Sequence, residues 1–225
     1  MSPLLAKETG SNVEPVAEGI YAGTAYLLAD LGRQRSERFG TEKRQVVIGF
    51  ELPEVRITGE RDGEKFDLPR AVSRRFTLSL HEGGNLRPFL EAWRGRRFTP
   101  TELSGFDLRG VLGVPAMIQV IHETKADGKT IAKIANVMPL AKGMQKPKPE
   151  NEKQYFSFDD CPPGQPVQIP EELPEWIRDA IQASRDFREP ATVTPAPATA
   201  GAGTGATAPA GPAADAPAED DNLPF

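Results

Sequence analysis

Between residues 43 and 52 the side chains alternate. Arg44, Val46, Ile48, Phe50 and Leu52 fall on one face of an extended chain, and Lys43, Gln45, Val47, Gly49 and Glu51 fall on the other. A period of two excludes a helix and demands a second apolar layer against the first face. The signal returns over residues 72–80, where Val72, Phe76, Leu78 and Leu80 share a face with Arg74, while Ser73, Arg75, Thr77 and Ser79 point away. Two half-buried strands, separated by a polar stretch with an Asp62-Gly63 turn, commit the chain to a sheet.

The other elements take their places around this pair. Residues 19–31, with Tyr21, Tyr26, Leu27 and Leu28 and closed by Gly32, read as a first strand, and Pro53 ends the second. At Asn85 the period changes to 3.6. Leu86, Phe89, Leu90 and Trp93 follow at helical spacing, with Asn85 as N-cap and Gly95 as the stop. Thr99 and Pro100 open an irregular or helical stretch that reaches Gly113. Residues 116–123 and 130–137 flank Asp127-Gly128, a hairpin signal.

A last helix is expected from Pro170 or Glu171 to about Phe187, its stripe of Leu173, Trp176, Ile177, Ala180 and Ile181 packing back onto its own domain. The fold class expected is therefore mainly β: a five-stranded OB-like barrel with a helix between strands 3 and 4, plus a C-terminal helix and a disordered tail. An SH3-like barrel or an open α+β sheet gives a similar string. The parts are a leader (1–18), a barrel domain (19–140), an extension with the amphipathic helix (141–189), and a linker of Ala, Pro, Gly and Thr with an acidic tip (190–225).

Charge is divided unevenly along the chain. Residues 1–150 hold 23 Lys and Arg against 19 Asp and Glu, a net of +4, whereas residues 151–225 hold 4 against 13, a net of −9. A basic body with an acidic tail suits a ligand that is a polyanion. Cys161 is the only cysteine, so no intrachain disulfide forms. No signal-peptide stretch and no run of about 20 apolar residues is present, which leads to the expectation of a cytoplasmic protein with no membrane partner.

In an OB barrel the oligonucleotide surface is the face of the second and third strands, with the loops joining strands one to two and four to five. The first loop carries Arg33, Arg35, Arg38 and Phe39. The polar strand faces carry Lys43, Gln45, Arg75 and Thr77, and the last hairpin carries Lys125 and Lys129. Arg44 and Arg74 stand near strand ends, where long side chains can turn outward. Phe39, in a basic loop with no period to bury it, is the best candidate to stack on a base. Phe50, Phe76 and Trp93 fit the core instead. Arg94, Arg96 and Arg97 serve either a phosphate or the C-terminus of their own helix.

Catalytic patterns are weak. Glu123-Thr124-Lys125 with Asp107 imitates the carboxylates and lysine of a Mg²⁺-dependent nuclease, but it abuts a turn where charge is ordinary. His81 and His122 lack partners at zinc spacing, no phosphate-binding glycine loop occurs, and no cofactor is expected.

The chain ends Asp220-Asp221-Asn222-Leu223-Pro224-Phe225 after about thirty linker residues, whose reach is on the order of 30 Å. Asp220, Asp221, Leu223, Pro224 and Phe225 offer a basic-rimmed pocket both charge and a ring to bury. This end resembles the tip of bacterial and phage single-stranded DNA-binding proteins. Arg74-Arg75-Phe76-Thr77-Leu78-Ser79-Leu80-His81-Glu82, Asn85-Leu86-Arg87, Leu90-Glu91-Ala92-Trp93-Arg94-Gly95-Arg96, Phe106-Asp107-Leu108, Ala141-Lys142-Gly143-Met144 and Leu173-Pro174-Glu175-Trp176-Ile177 resemble a family of phage-encoded single-stranded DNA-binding replication proteins. The resemblance runs from about residue 13 to 188. It implies an OB-type fold, single-stranded DNA as ligand, and replication or recombination proteins as partners of the tip. The alternative is an adaptor that presents the tip and last helix without strong DNA binding.

Overall fold

Strand β1 (Gly19–Arg35) carries the sheet by pairing differently along its two halves. Its first half runs antiparallel to β4 (Pro115–Thr124), from Gly19↔Val120 to Thr24↔Pro115. Its second half runs antiparallel to β2 (Glu42–Arg61), from Thr24↔Glu51 to Arg35↔Glu42. Strand β3 (Glu64–Thr77) lies beyond β2 and β5 (Thr130–Met138) beyond β4, in the order β3-β2-β1-β4-β5. The edge of β1 past Thr24 is filled by a short parallel strand, β6 (Gln154–Phe156). The sheet curls into an antiparallel half-barrel that brings β3 and β5 near each other. The structure, a computed structural model, describes residues 14–35, 40–61, 64–125 and 128–188.

Both early strands are longer than their sequence signals. Gly32 was expected to close β1, yet the strand continues to Arg35 through a bulge between Asp30 and Gly32. Gly32 takes φ 68°, and a Cβ there would stand 2.8 Å from Phe158 and Ser184, so glycine serves as a bulge residue. Pro53 likewise interrupts β2 without ending it. The ladder to β3 skips from Leu52 to Arg56, so the missing N–H costs no rung, and pairing resumes through Arg61.

The expected faces hold. Val46, Ile48, Phe50, Leu52, Val72 and Phe76 enter one core with Ile118, Val120, Ile134 and Val137. Helix α1 (Leu86–Arg94) follows β3 in the chain, and its Leu86, Phe89, Leu90 and Trp93 are buried in that core. Ring centroids of Phe50 and Trp93 lie 4.9 Å apart, and those of Phe76 and Phe89 lie 4.6 Å apart. Gly95 ends α1 in the left-handed conformation as expected. Asn85, expected to cap it, makes no side-chain cap hydrogen bond.

The stretch opened by Thr99 becomes α2 (Pro100–Ser104), where Thr99 and Glu102 form a reciprocal capping box, followed by a 3₁₀ turn (Leu108–Val111). The last helix is broken in two. α3 (Glu175–Ala183) begins after Pro174, and α4 (Arg185–Arg188) follows the buried, extended Ser184, whose Oγ accepts from the Phe187 N–H. Among the described residues no helix is long and apolar enough to cross a membrane.

A second core sits on the outer side of the sheet. Leu27, Ala29, Leu31 and Val47 are covered there by Phe156, Leu173, Ile177 and Ile181 of the extension. Two buried carboxylates fasten that cover. Glu51 accepts from the backbone N–H groups of Glu150 (2.6 Å) and Asn151 (2.9 Å) and from the Asn151 amide. Asp30 accepts from Gly32 N (2.9 Å), Phe158 N (3.2 Å) and the Arg44 guanidinium. Thr24 Oγ1 adds a bond to the carbonyl of Pro147 at 2.9 Å.

Two predictions arise from these anchors. Glu51→Gln leaves one acceptor oxygen where two were used, so stability measured by urea unfolding should fall by about 1.5–3 kcal/mol. Trypsin cleavage after Lys142 and Lys153 should quicken as the strap loosens. For Glu102, hydrogen bonds from Arg94, then from the Thr99 N–H and Arg96, hold the carboxyl at about 2. A carboxyl held below its unfolded value of about 4.3 contributes stability that is complete above that pH and is lost as pH falls toward 2. Glu102→Gln should therefore flatten the stability profile across that window.

Candidate nucleic-acid interface

Strand register gathers most of the expected contact residues at one end of the half-barrel. Gln34 pairs with Lys43, Arg33 with Arg44, and Arg35 with Glu42. On the other side of β2, Gln45 pairs with Thr77 and Val47 with Arg75. Because side chains alternate, Lys43, Gln45, Arg75 and Thr77 share the outer face. Lys43 and Arg75 are exposed, whereas Gln45 and Thr77 are half-buried. The Gln45 Oε1 atom is buried and has no hydrogen-bond partner among the described residues.

Several arginines of this end are engaged by the extension. Arg33 pairs with Asp186 at 2.6 Å, and that hydrogen bond and charge raise the guanidinium further above its usual range. Arg44 does not turn outward: it lies between Asp30 and Asp159 (2.8 Å to the latter), and hydrogen bonding to Asp30 raises its pKa against the opposing effect of burial. Among the described residues, Arg35, Lys43 and Arg75 have no carboxylate at ion-pair distance. Arg38 and Phe39, expected in the same loop, lie outside the described residues, as do Asp220, Asp221, Leu223, Pro224 and Phe225.

Arg74 also points inward, with the apolar face of β3. Its Nη1 donates to the carbonyls of Ile134 (3.1 Å) and Ala135 (3.2 Å) on β5, and its guanidinium lies 5.2 Å from the Phe76 ring centroid and 5.6 Å from that of Phe89. Burial lowers its pKa. It bridges the two strands where no ladder joins them. Lys125 and Lys129 are exposed at the tip of the β4–β5 hairpin, beyond the start of β1. At about 3.3 Å per residue, roughly 45 Å of strand contour separates that end from Arg33. The strip and the hairpin tip are thus distinct patches.

Arg94 is buried beside Glu102 and over the Phe98 ring, 4.5 Å from its centroid. Arg96 pairs with the same carboxylate at 2.9 Å. Of that cluster Arg97 is exposed and Arg96 is half-buried. The nuclease pattern does not assemble: Glu123 pairs with Lys133 at 2.7 Å, while Asp107 caps a 3₁₀ turn by accepting from Arg109 N. Among the described residues no group of three or more His, Cys, Asp or Glu side chains is placed to hold a metal ion. His81 accepts from Gly83 N, and His122 hydrogen-bonds through its ring to Val16 O; both are local structural roles.

A cleft of about 210 Å³ opens where the extension meets the half-barrel, bordered by Asp30, Arg44, Phe106, Arg109 and Tyr155. Arg109 stacks 4.3 Å from the Tyr155 centroid. Asp107 and Asp159 also line it, so its carboxylates outnumber its cations and it does not suit a phosphate.

The residue that sequence reasoning missed is Trp176. It was assigned to the buried stripe of the last helix, but it is 45% exposed, whereas Leu173, Ile177 and Ile181 are buried. Those three lie on one i, i+4, i+8 line and Trp176 stands one residue off it, which is the signal the sequence did contain. Arg75 lies 5.8 Å from its ring centroid.

The Arg74 bridge generates a prediction: Arg74→Ala should lower stability by about 1.5–3 kcal/mol through the loss of charge-assisted bonds to β5, with faster amide exchange concentrated in Thr130–Met138. Scans against family models, curated proteins and solved structures found no match to this chain, so its own geometry carries the functional reading.

Proposed function

We propose that this chain binds single-stranded DNA on the outer strip of β2 and β3, using an OB-like half-barrel, without catalysing a reaction. The observation that carries the reading is the placement by register of Lys43 and Arg75 on one face of β2 and β3, beside the Gln45 amide and the Thr77 hydroxyl, with Arg35 at the same end of the sheet on the other face; among the described residues these three cations have no carboxylate at ion-pair distance. Cations track phosphates, and neutral donors and acceptors beside them accommodate sugars and base edges. Strand order supports the same reading. With β3 and β5 both running along the direction of β1 and approaching each other, the order corresponds to that of a five-stranded OB barrel.

The resemblance to phage-encoded single-stranded DNA-binding proteins extends the proposal to replication and recombination in the cytoplasm of a bacterium or phage-infected cell. There the acidic tip Asp220–Phe225 would recruit partner proteins. A second reading, an adaptor with little DNA affinity, is favoured by one observation: Asp186, Asp159 and Asp30 neutralise Arg33 and Arg44, leaving a strip of modest charge.

Titration with oligo-dT separates the two. Three phosphate contacts at a log–log salt slope near −0.7 each predict affinity about 20-fold weaker at 200 mM than at 50 mM salt, with the slope reduced by about 0.7 in Lys43→Ala or Arg35→Ala. Absence of salt-sensitive binding would leave the adaptor. Deleting residues 220–225 should leave DNA affinity equal or higher while abolishing capture of replication proteins; retained capture would remove the tip from the proposal.

A further inference from the structure

Trp176 belongs to a helix whose other large apolar residues are buried, and it stands at the margin of that helix against the strip just described. The outer core fixes its place. Val47 faces outward from β2, is fully buried in the same cluster as Ile177, and pairs in register with Arg75 on β3. Trp176, next to Ile177 in the helix, therefore lies by β3, where Arg75 approaches the indole at 5.8 Å. The cover formed by the extension ends there, and the exposed part of the ring adjoins a cation-bearing sheet face.

An indole with close to half its surface in water loses apolar burial that no packing contact recovers. A planar ring beside a guanidinium, with Lys43 on the same sheet face, has the composition of a base-stacking platform: a π surface for the base and cations for its phosphates. We infer that Trp176 and Arg75 form a stacking site for an unpaired nucleobase, so that the C-terminal extension is part of the DNA-binding surface as well as the cover of β1. This inference rests on the single-strand reading above. It assigns the stacking contact to a residue outside the five strands.

The chain has two tryptophans, and Trp93 is buried against Pro115, so fluorescence is readable site by site. The full chain is titrated with oligo-dT and with a strand of equal length whose central sugars lack bases. Expected are quenching and acrylamide protection that vanish in Trp176→Phe along with the exposed indole, and affinity about 5- to 150-fold weaker in Trp176→Ala. Removing the bases should weaken the native chain but leave Trp176→Ala nearly unchanged, a dependence that a merely structural tryptophan would not produce. Unchanged Trp93 emission in Trp176→Ala checks the fold. If oligo-dT binds with the expected salt slope but Trp176→Ala matches the native chain on both strands, the stacking site is refuted while the single-strand reading survives. If no oligo-dT binds at all, both fall.

Discussion

Two buried carboxylates, Glu51 on the outer side of the sheet and Asp30 on the face it shares with Leu28 and Val46, hold the structure's second layer in place. An ionised group in such a position is tolerated only where donors surround it, and here they come from residues far along the chain: Glu150 and Asn151 for Glu51, Phe158 for Asp30. Satisfying these groups therefore requires the extension to lie across the sheet. Once it does, Phe156, Leu173, Ile177 and Ile181 exclude water from the outer side of Leu27, Leu31 and Val47, and the half-barrel gains a core on each side.

That cover also redraws the electrostatics of the strip. By folding back, the acidic extension places Asp186 on Arg33 and Asp159 on Arg44, and Glu42 receives Arg185. Among the described residues, Arg35, Lys43 and Arg75 are left facing solvent without a carboxylate at ion-pair distance, and Arg75 lies at the margin of the extension. The same fold-back sets Trp176 at the boundary, where the apolar cover gives way to charge. The proposed binding surface and the cover are two consequences of one docking event.

Much of the fold was legible in local pattern. The period-two faces of 43–52 and of 72–77 were assigned correctly, although β3 begins at Glu64 and stops at Thr77 rather than running to Leu80; the helix at Leu86–Arg94 and the hairpin of β4 and β5 were also legible, because each signal depends on neighbours within a few residues. The errors came where a breaker was read without its partner strand. Gly32 and Pro53 each mark an end in isolation, but beside a strand that supplies the remaining hydrogen bonds each becomes a bulge. For the proposed binding strip, the shared face of Lys43, Gln45, Arg75 and Thr77 was placed by alternation alone. Arg44 and Arg74 were not, since a long side chain turns toward whichever acceptors its surroundings provide, and these were Asp30 and the carbonyls of β5.

What the sequence determined by itself is which side chains face together along each strand and helix, because backbone geometry imposes periods of two and 3.6 whatever the neighbours. Only the tertiary structure decided which of those faces meets water. The outer face of β2 reads as polar, yet at Val47 and Glu51 it is buried, because the extension brings an apolar stripe and matching donors to those two residues. The last helix reads as a single buried stripe, yet its Trp176 is left exposed, because it stands one residue off the line of Leu173, Ile177 and Ile181 that packs into the outer core.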